Sequence, residues 1–275
     1  MSDIQSQISH LQSQLEVAYP ADEARALAWW IVEETTGLSR TQLLTDCKST
    51  TFSRDMQTIV TRLLQKEPIQ YIFGHCLWFG LDLKVTPATL IPRPETAELV
   101  ETINQMVNGK WTNGKCLDVG TGTGCIALAL KKLHPEWTVT GLDISAEALD
   151  VARENGRRNG LEVNWLQADI LNDDIPTYDI LVSNPPYIAE SERRDMDRNV
   201  LAYEPHSALF VPDDDPLRFY RRIAELKRAE WLFFEINPRY AGQTAAMMQE
   251  NGYTDITILP DSYGKKRILY GRIAR

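Results

Sequence analysis

The sequence predicts an α/β fold in which a mostly parallel sheet follows an amino-terminal bundle of helices. Three observations predict it. Apolar runs of strand length recur at residues 115–119, 137–142, 163–167 and 178–182, and segments with helical apolar spacing lie between them. Such alternation marks strand–helix–strand units. A glycine-rich turn, Gly120 to Gly124, joins the first of these strands to a helix. Finally, Asp143, Asp169 and Asn184 stand just beyond successive strands, at the sheet edge where open α/β folds bind ligands.

At the amino end, Ile4, Ile8, Leu11 and Leu15 recur at helical spacing, as do Leu27, Trp30 and Ile31, and then Phe52, Met56, Ile59, Val60, Leu63 and Leu64. Residues 1–70 therefore form a small bundle of short helices, with Gly37 and Pro68 as stops. Its apolar positions are core, and a bundle without a chemical motif serves best to recognise a partner. From Gln70 the pattern changes. Leu81, Leu83 and Val85 alternate with Asp82 and Lys84, which predicts a β-hairpin linker over 71–92. Pro92 and Pro94 hold the chain extended before a helix that starts near Thr96, opening a second domain over 93–275. Arg93 and Glu95 are either surface charges or contacts for a substrate.

In the turn Gly120-Thr121-Gly122-Thr123-Gly124, glycine lets the backbone bend tightly and approach a ligand. Asp118, in the strand before it, belongs to the same motif. The third glycine comes one residue earlier than in the dinucleotide pattern Gly-x-Gly-x-x-Gly. Asp143 follows about 20 residues on, where an acid accepts from both ribose hydroxyls of a nucleotide-like cofactor. Ser145 caps the next helix and Asn159-Gly160 closes it. The strand at 163–167 then leads to Ala168-Asp169-Ile170, where Asp169 is placed to accept from an adenine amine.

Asn184-Pro185-Pro186-Tyr187 directly follows the buried strand at 178–182, and two prolines must end that strand. They also strip the turn of backbone donors. What remains is rich in acceptors, the Asn184 side-chain carbonyl and the Pro185 main-chain carbonyl, with the flat ring of Tyr187 beside them. That corner suits a planar NH2 group such as an amide or a nucleobase amine. Two acceptors on its hydrogens stabilise the positive charge that develops as the nitrogen attacks an electrophile. The tetrapeptide arises by chance in roughly one chain in a thousand of this length, so it reads as function rather than a bare proline turn.

Beyond it, residues 192–198 are charged and form a solvated helix or lid. Asp213-Asp214-Asp215, flanked by Pro212 and Pro216, is an exposed loop rather than a metal site. Strands follow at 230–236, 254–259 and 267–273, with a helix over 241–249. The last two strands are joined without a long crossover, so they pair antiparallel.

The 275 residues carry 29 Lys and Arg against 38 Asp and Glu, a net charge of −9, which disfavours direct nucleic-acid binding and suits a protein partner. Cys47, Cys76, Cys116 and Cys125 show neither disulfide nor zinc spacing, and the histidines are scattered, so no metal is expected. A reducing cytoplasm fits. No stretch has the length and apolarity of a membrane span.

These motifs resemble the class I S-adenosylmethionine-dependent methyltransferases, and among them the HemK/PrmC family of release-factor glutamine N5-methyltransferases. The resemblance runs through nearly the whole chain. It is carried by Gln70-Tyr71-Ile72-Phe73-Gly74, Ile91-Pro92-Arg93-Pro94-Glu95-Thr96, Asp118 to Gly124, Asp143, Asn184-Pro185-Pro186-Tyr187-Ile188 and Tyr203-Glu204-Pro205. It implies a Rossmann-like sheet with an antiparallel final strand, S-adenosyl-L-methionine as cofactor, and methyl transfer to the glutamine of the Gly-Gly-Gln motif in peptide-chain release factors. Gly120, Thr121, Gly122, Thr123 and Gly124 would hold the methionine end, Asp143 the ribose, and Asp169 with Ile170 the adenine; Asn184 would lie between cofactor and substrate. The family commonly carries an aromatic residue where Ile170 stands. On the residues alone, three other readings stay open: an adenine amino-methyltransferase, a nicotinamide-dependent oxidoreductase and a catalytically silent binding module.

Overall fold

The computed structural model describes residues 3–45, 55–107 and 109–273; Cys47 and Phe52 lie outside them. They fall into two compact units. One holds the chain up to Gly74 together with Arg198–Tyr203; the other runs from His75 to Asp197 and resumes at Glu204.

The first unit is helical: α1 (Asp3–Leu15), α2 (Ala21–Thr36), α3 (Arg40–Thr45), α4 (Met56–Leu64) and α5 (Ile69–Phe73). Ile4, Ile8, Leu11 and Leu15 stack on one face of α1 and pack with Ala24, Ala28, Ile31 and Val32 of α2 and Ile59, Val60 and Leu63 of α4. Gly37 ends α2 with φ +70, the left-handed turn that glycine adopts without a Cβ clash. Asp55 starts α4 by accepting from the Gln57 amide at 3.0 Å.

The second unit opens with an antiparallel hairpin, β1 (His75–Trp78) and β2 (Leu81–Lys84), then α6 (Pro94–Val107). The helix begins at Pro94 rather than near Thr96, because the fixed φ of proline suits a first turn. Next come β3 (Lys115–Val119), α7 (Cys125–Leu133), β4 (Thr138–Asp143), α8 (Ala146–Asn159), β5 (Asn164–Gln167) and β6 (Tyr178–Ser183). The chain continues through β7 (Ile188–Ala189), α9 (Arg198–Tyr203), β8 (Phe210–Val211), α10 (Arg218–Leu226), β9 (Ala229–Glu235), α11 (Ala241–Glu250), β10 (Thr254–Pro260) and β11 (Lys266–Arg272).

Seven strands form one sheet in the order β10-β11-β9-β6-β3-β4-β5. Every neighbouring pair from β9 to β5 is parallel; β11 runs antiparallel to both β9 and β10. The last strand is therefore inserted between two earlier ones, and the short turn before it makes its pairing with β10 antiparallel. Leu117, Leu181, Leu232 and Phe234 form a core with Tyr220 and Ile223 of α10 and Met247 and Met248 of α11.

Two asparagines one turn apart on α8 bind the backbone of the hairpin. Asn155 Oδ1 accepts from Lys84 N at 2.6 Å while its Nδ2 donates to Lys84 O at 3.0 Å. Asn159 does the same for Asp82, at 3.1 and 3.0 Å. The charged stretch over 192–198 is no single helix: a 3-10 turn at Glu190–Asp195 precedes α9.

One packing contact fixes the edge where ligands bind. The Trp165 indole occupies the space that a Cβ at Gly141 would need, 2.5 Å from Cζ3, and reaches Gly124, 2.8 Å from Cη2. Gly141→Ala should lower the unfolding free energy by about 1–3 kcal/mol, and adding Trp165→Leu should return part of the loss in denaturant titration.

Candidate active site

At the carboxyl ends of β3, β4, β5 and β6 lies a cavity of about 300 Å³. Its wall includes Gly120–Thr123, Asp143, Ile144, Asp169, Ile170, Asn184, Pro185, Pro186, Arg93 and Thr96. Strand register explains the convergence. Val119 pairs with Ser183 and Ser183 with Phe234, so the residues that follow β3, β6 and β9 emerge side by side.

The glycine loop is fastened from below. Gly120 and Thr121 donate to Leu142 O at 2.8 and 2.9 Å, and Asn155 Nδ2 donates to Thr123 O at 2.9 Å. Gly120 and Gly122 have φ of +73 and +54, and a Cβ on either would point into open space. Such a cradle admits a ligand against bare backbone. Asp118 does not reach the cavity wall. It is fully buried, and its Oδ2 accepts from Thr121 Oγ1 at 2.6 Å and Ala127 N at 3.2 Å, tying the loop to the start of α7. Its Oδ1 is buried without a partner among the described residues, and burial pushes the carboxyl up to about 7.

Asp143 accepts from Gly122 N at 2.9 Å and from Ser145 N at 3.0 Å, one bond to each oxygen. Each oxygen keeps lone-pair capacity for a ligand hydroxyl. Burial raises its pKa, opposed by those backbone donors. Asp169 has its oxygens on Leu171 N and Asn172 Nδ2, at 2.9 and 2.6 Å, and Ile170 beside it offers an apolar wall. The cavity sits at the lower end of the size range for small-molecule sites. Its open glycine backbone and two carboxylates at successive strand ends fit S-adenosyl-L-methionine, which carries a diol, an amine and a zwitterionic amino-acid tail.

At the other end Asn184 Nδ2 donates to Thr96 Oγ1 at 3.2 Å, and Thr96 Oγ1 donates to Glu235 Oε2 at 2.7 Å. Tyr187 Oη donates to Glu235 Oε1 at 3.1 Å and receives Arg267 Nη1 at 3.4 Å. Tyr187 is not among the residues that line this cavity, and its hydroxyl is bound to Glu235. Gly124 and Glu95 also stand outside the wall. Arg93 belongs to it, yet its guanidinium pairs with the buried carboxylate of Glu204, which also takes Ile91 N at 3.2 Å. The Asp213 loop is exposed, and among the described residues no acid, cysteine or histidine cluster could hold a metal.

Sequence reading missed Thr96 and Glu235 as site residues. Thr96 stood as the last residue of a proline-rich segment, and a signal existed for Glu235: a single acid closing the apolar run Trp231-Leu232-Phe233-Phe234.

A parallel sheet with one reversed strand, a glycine cradle and an acceptor-rich proline turn on a single cavity define a class I S-adenosylmethionine-dependent methyltransferase. Two family profiles match the chain, "Methyltransferase small domain" over residues 94–204 and "PrmC N-terminal domain" over 7–74. A release factor glutamine methyltransferase of Bacteroides thetaiotaomicron is 42% identical over 95% of this chain and 97% of that protein. Another, from Streptococcus pneumoniae, is 42% identical over 78% of each. The chain belongs to the release factor glutamine methyltransferase (HemK/PrmC) family. A methyltransferase from Pyrococcus furiosus shares the fold, with a TM-score of 0.53 and 18% identity over 80% of this chain and 100% of that one.

Because the Asp118 pKa is higher folded than unfolded, the native state holds a proton that the unfolded chain releases near pH 4. Its contribution to stability falls as pH rises from about 4 to about 7 and is constant above that. The unfolding free energy of the wild type minus that of Asp118→Asn should fall across this window in denaturant titrations at successive pH values.

Proposed function

We infer that this protein transfers a methyl group from S-adenosyl-L-methionine to the side-chain N5 of the glutamine in the Gly-Gly-Gln motif of peptide-chain release factors. The observation that supports the reading at the site is the turn Asn184-Pro185-Pro186 on the cavity wall, where the Asn184 NH2 is bound to Thr96 and the prolines carry no backbone donor. Bound cofactor supplies the methyl as an electrophile on a sulfonium. Gly120 to Thr123, in the loop that Gly124 closes, would hold its methionine end, Asp143 its ribose, and Asp169 with Ile170 its adenine.

An amide nitrogen is a poor nucleophile because its lone pair is delocalised. Asn184 Oδ1 and the Pro185 carbonyl accept its two hydrogens, fix its direction and offset the positive charge that grows as the new N–C bond forms. A strong base is unnecessary, since the proton can leave to solvent after the methyl has arrived. Pro186 stiffens the turn, and Tyr187 braces it through Glu235. Arg93 is held by Glu204 at the wall, and Glu95 stands nearby on α6; both are assigned to the substrate side. The helical unit, matched by the PrmC N-terminal profile, is assigned to recognition of the protein substrate.

Among the described residues no helix is long and apolar enough to cross a membrane, and Cys76, Cys116 and Cys125 are free and buried. A cytoplasmic location, where the translation machinery works, is consistent with both.

Methyl-labelled S-adenosylmethionine should label an intact release factor, but neither a factor whose Gly-Gly-Gln glutamine is replaced nor duplex DNA. Label on DNA alone would reassign the enzyme to nucleobases. Asn184→Ala should lower kcat by roughly 100-fold or more, as loss of a charge-stabilising contact does, with its melting temperature near that of the wild type. Retained turnover would remove Asn184 from the mechanism.

A further inference from the structure

Glu235 terminates β9 with only 2% of its surface exposed, beside Ser183-Asn184 by parallel register. Its two oxygens take one hydroxyl each: Thr96 Oγ1 at 2.7 Å and Tyr187 Oη at 3.1 Å. Burial raises the carboxyl's pKa, while the Thr96 hydroxyl, the Arg267 charge and the Tyr187 hydroxyl pull against it. A carboxylate can only accept, so both hydroxyls must donate to it. Thr96 then has no hydrogen left for Asn184. The group that Asn184 presents to Thr96 has to be its NH2, at 3.2 Å, which leaves Oδ1 as the other end of the carboxamide, without a hydrogen bond among the described residues.

We propose that Thr96 and Glu235 are positioning residues that set the polarity of the Asn184 carboxamide, so that its oxygen rather than its nitrogen meets the amide hydrogens of the substrate glutamine. The inference rests on the function proposed above. The chemical need is specific. A flipped carboxamide would aim NH2 at NH2, replacing an attraction by a repulsion at the atom that reacts. An isolated asparagine has no strong preference between the two orientations, and here a buried anion imposes one through a single hydroxyl. The same anion holds the Tyr187 hydroxyl, so both ends of the Asn-Pro-Pro-Tyr turn are tied to one carboxylate.

The test uses the full-length protein, S-adenosylmethionine and an intact release factor. Thr96→Val keeps the shape and removes the hydroxyl; kcat should fall roughly 10- to 100-fold, the scale of a misdirected reacting group. Cofactor affinity and the KM for the factor should stay within about threefold of the wild type, the pattern of an interaction made in the transition state. Thr96→Ser restores the hydroxyl and should restore most of kcat, which a role in packing alone does not predict. In single-turnover measurements, the double variant Thr96→Val with Asn184→Ala should be no slower than Asn184→Ala, since Thr96 acts only through Asn184.

Full kcat in Thr96→Val, no recovery in Thr96→Ser, or losses that multiply in the double variant would each overturn the proposal. Should Thr96→Val melt below the assay temperature, Thr96→Ala assayed at a lower temperature carries the test: it also removes the hydroxyl that orients Asn184, and the same selective loss of kcat is expected. Failure of the function itself looks different. Wild-type protein would then label no factor, and the assignment of Thr96 and Glu235 would fall with it.

Discussion

A carboxylate buried at the end of a strand has to be surrounded by donors, and the donors it gathers decide what stands around it. Glu235 gathers three elements. Thr96 comes from the first turn of α6, Tyr187 from the turn after β6, and Arg267, close to Tyr187, from β11. The reversed last strand matters here, because its insertion beside β9 brings Arg267 next to a residue far away in sequence. The Asn237 side chain adds a further tie, donating to Tyr187 O at 3.1 Å. The proline turn is thus rigid for two reasons, its own restricted backbone and the anion behind it.

The cofactor end is organised by a different means. Gly141 and Gly124 leave room for one indole, Asn155 clamps Thr123 and the hairpin together, and Asp118 pins the loop to α7. Each of these fixes backbone rather than offering a group to a ligand. Asp143, Asp169, Gly120 and Gly122 line the cavity itself. The sheet places both ends at one edge, where β3 and β6 finish, and the proposed reaction joins cofactor and substrate amide there.

Much of this was legible in the sequence, and the reasons are local. The strand ahead of Gly120, the caps at Ser145 and Gly160, the end of β6 at two prolines and the antiparallel closing pair all follow from nearest-neighbour chemistry, and the structure has each of them. The acids at successive strand ends were visible because period and length located those ends. Less legible were contacts between residues distant in sequence. That Tyr187 turns its hydroxyl to Glu235, 48 residues on, depends on register between β6 and β9. That the hairpin belongs with the sheet depends on Asn155 and Asn159, which look like ordinary polar helix positions. Arg93 read as a surface charge or substrate contact because Glu204, its buried partner, lies 111 residues away.

The central claim is that the Asn184 carboxamide presents its oxygen, together with the Pro185 carbonyl, to the nitrogen that receives the methyl. Neutron diffraction from a crystal holding S-adenosylhomocysteine and a Gly-Gly-Gln peptide tests it most directly, because deuterium on nitrogen distinguishes the two ends of an amide. The account predicts the glutamine nitrogen at about 2.7–3.2 Å from both oxygens, with the Asn184 ND2 group on Thr96. An Asn184 amide turned the other way, or a glutamine nitrogen out of reach of both oxygens, would contradict it.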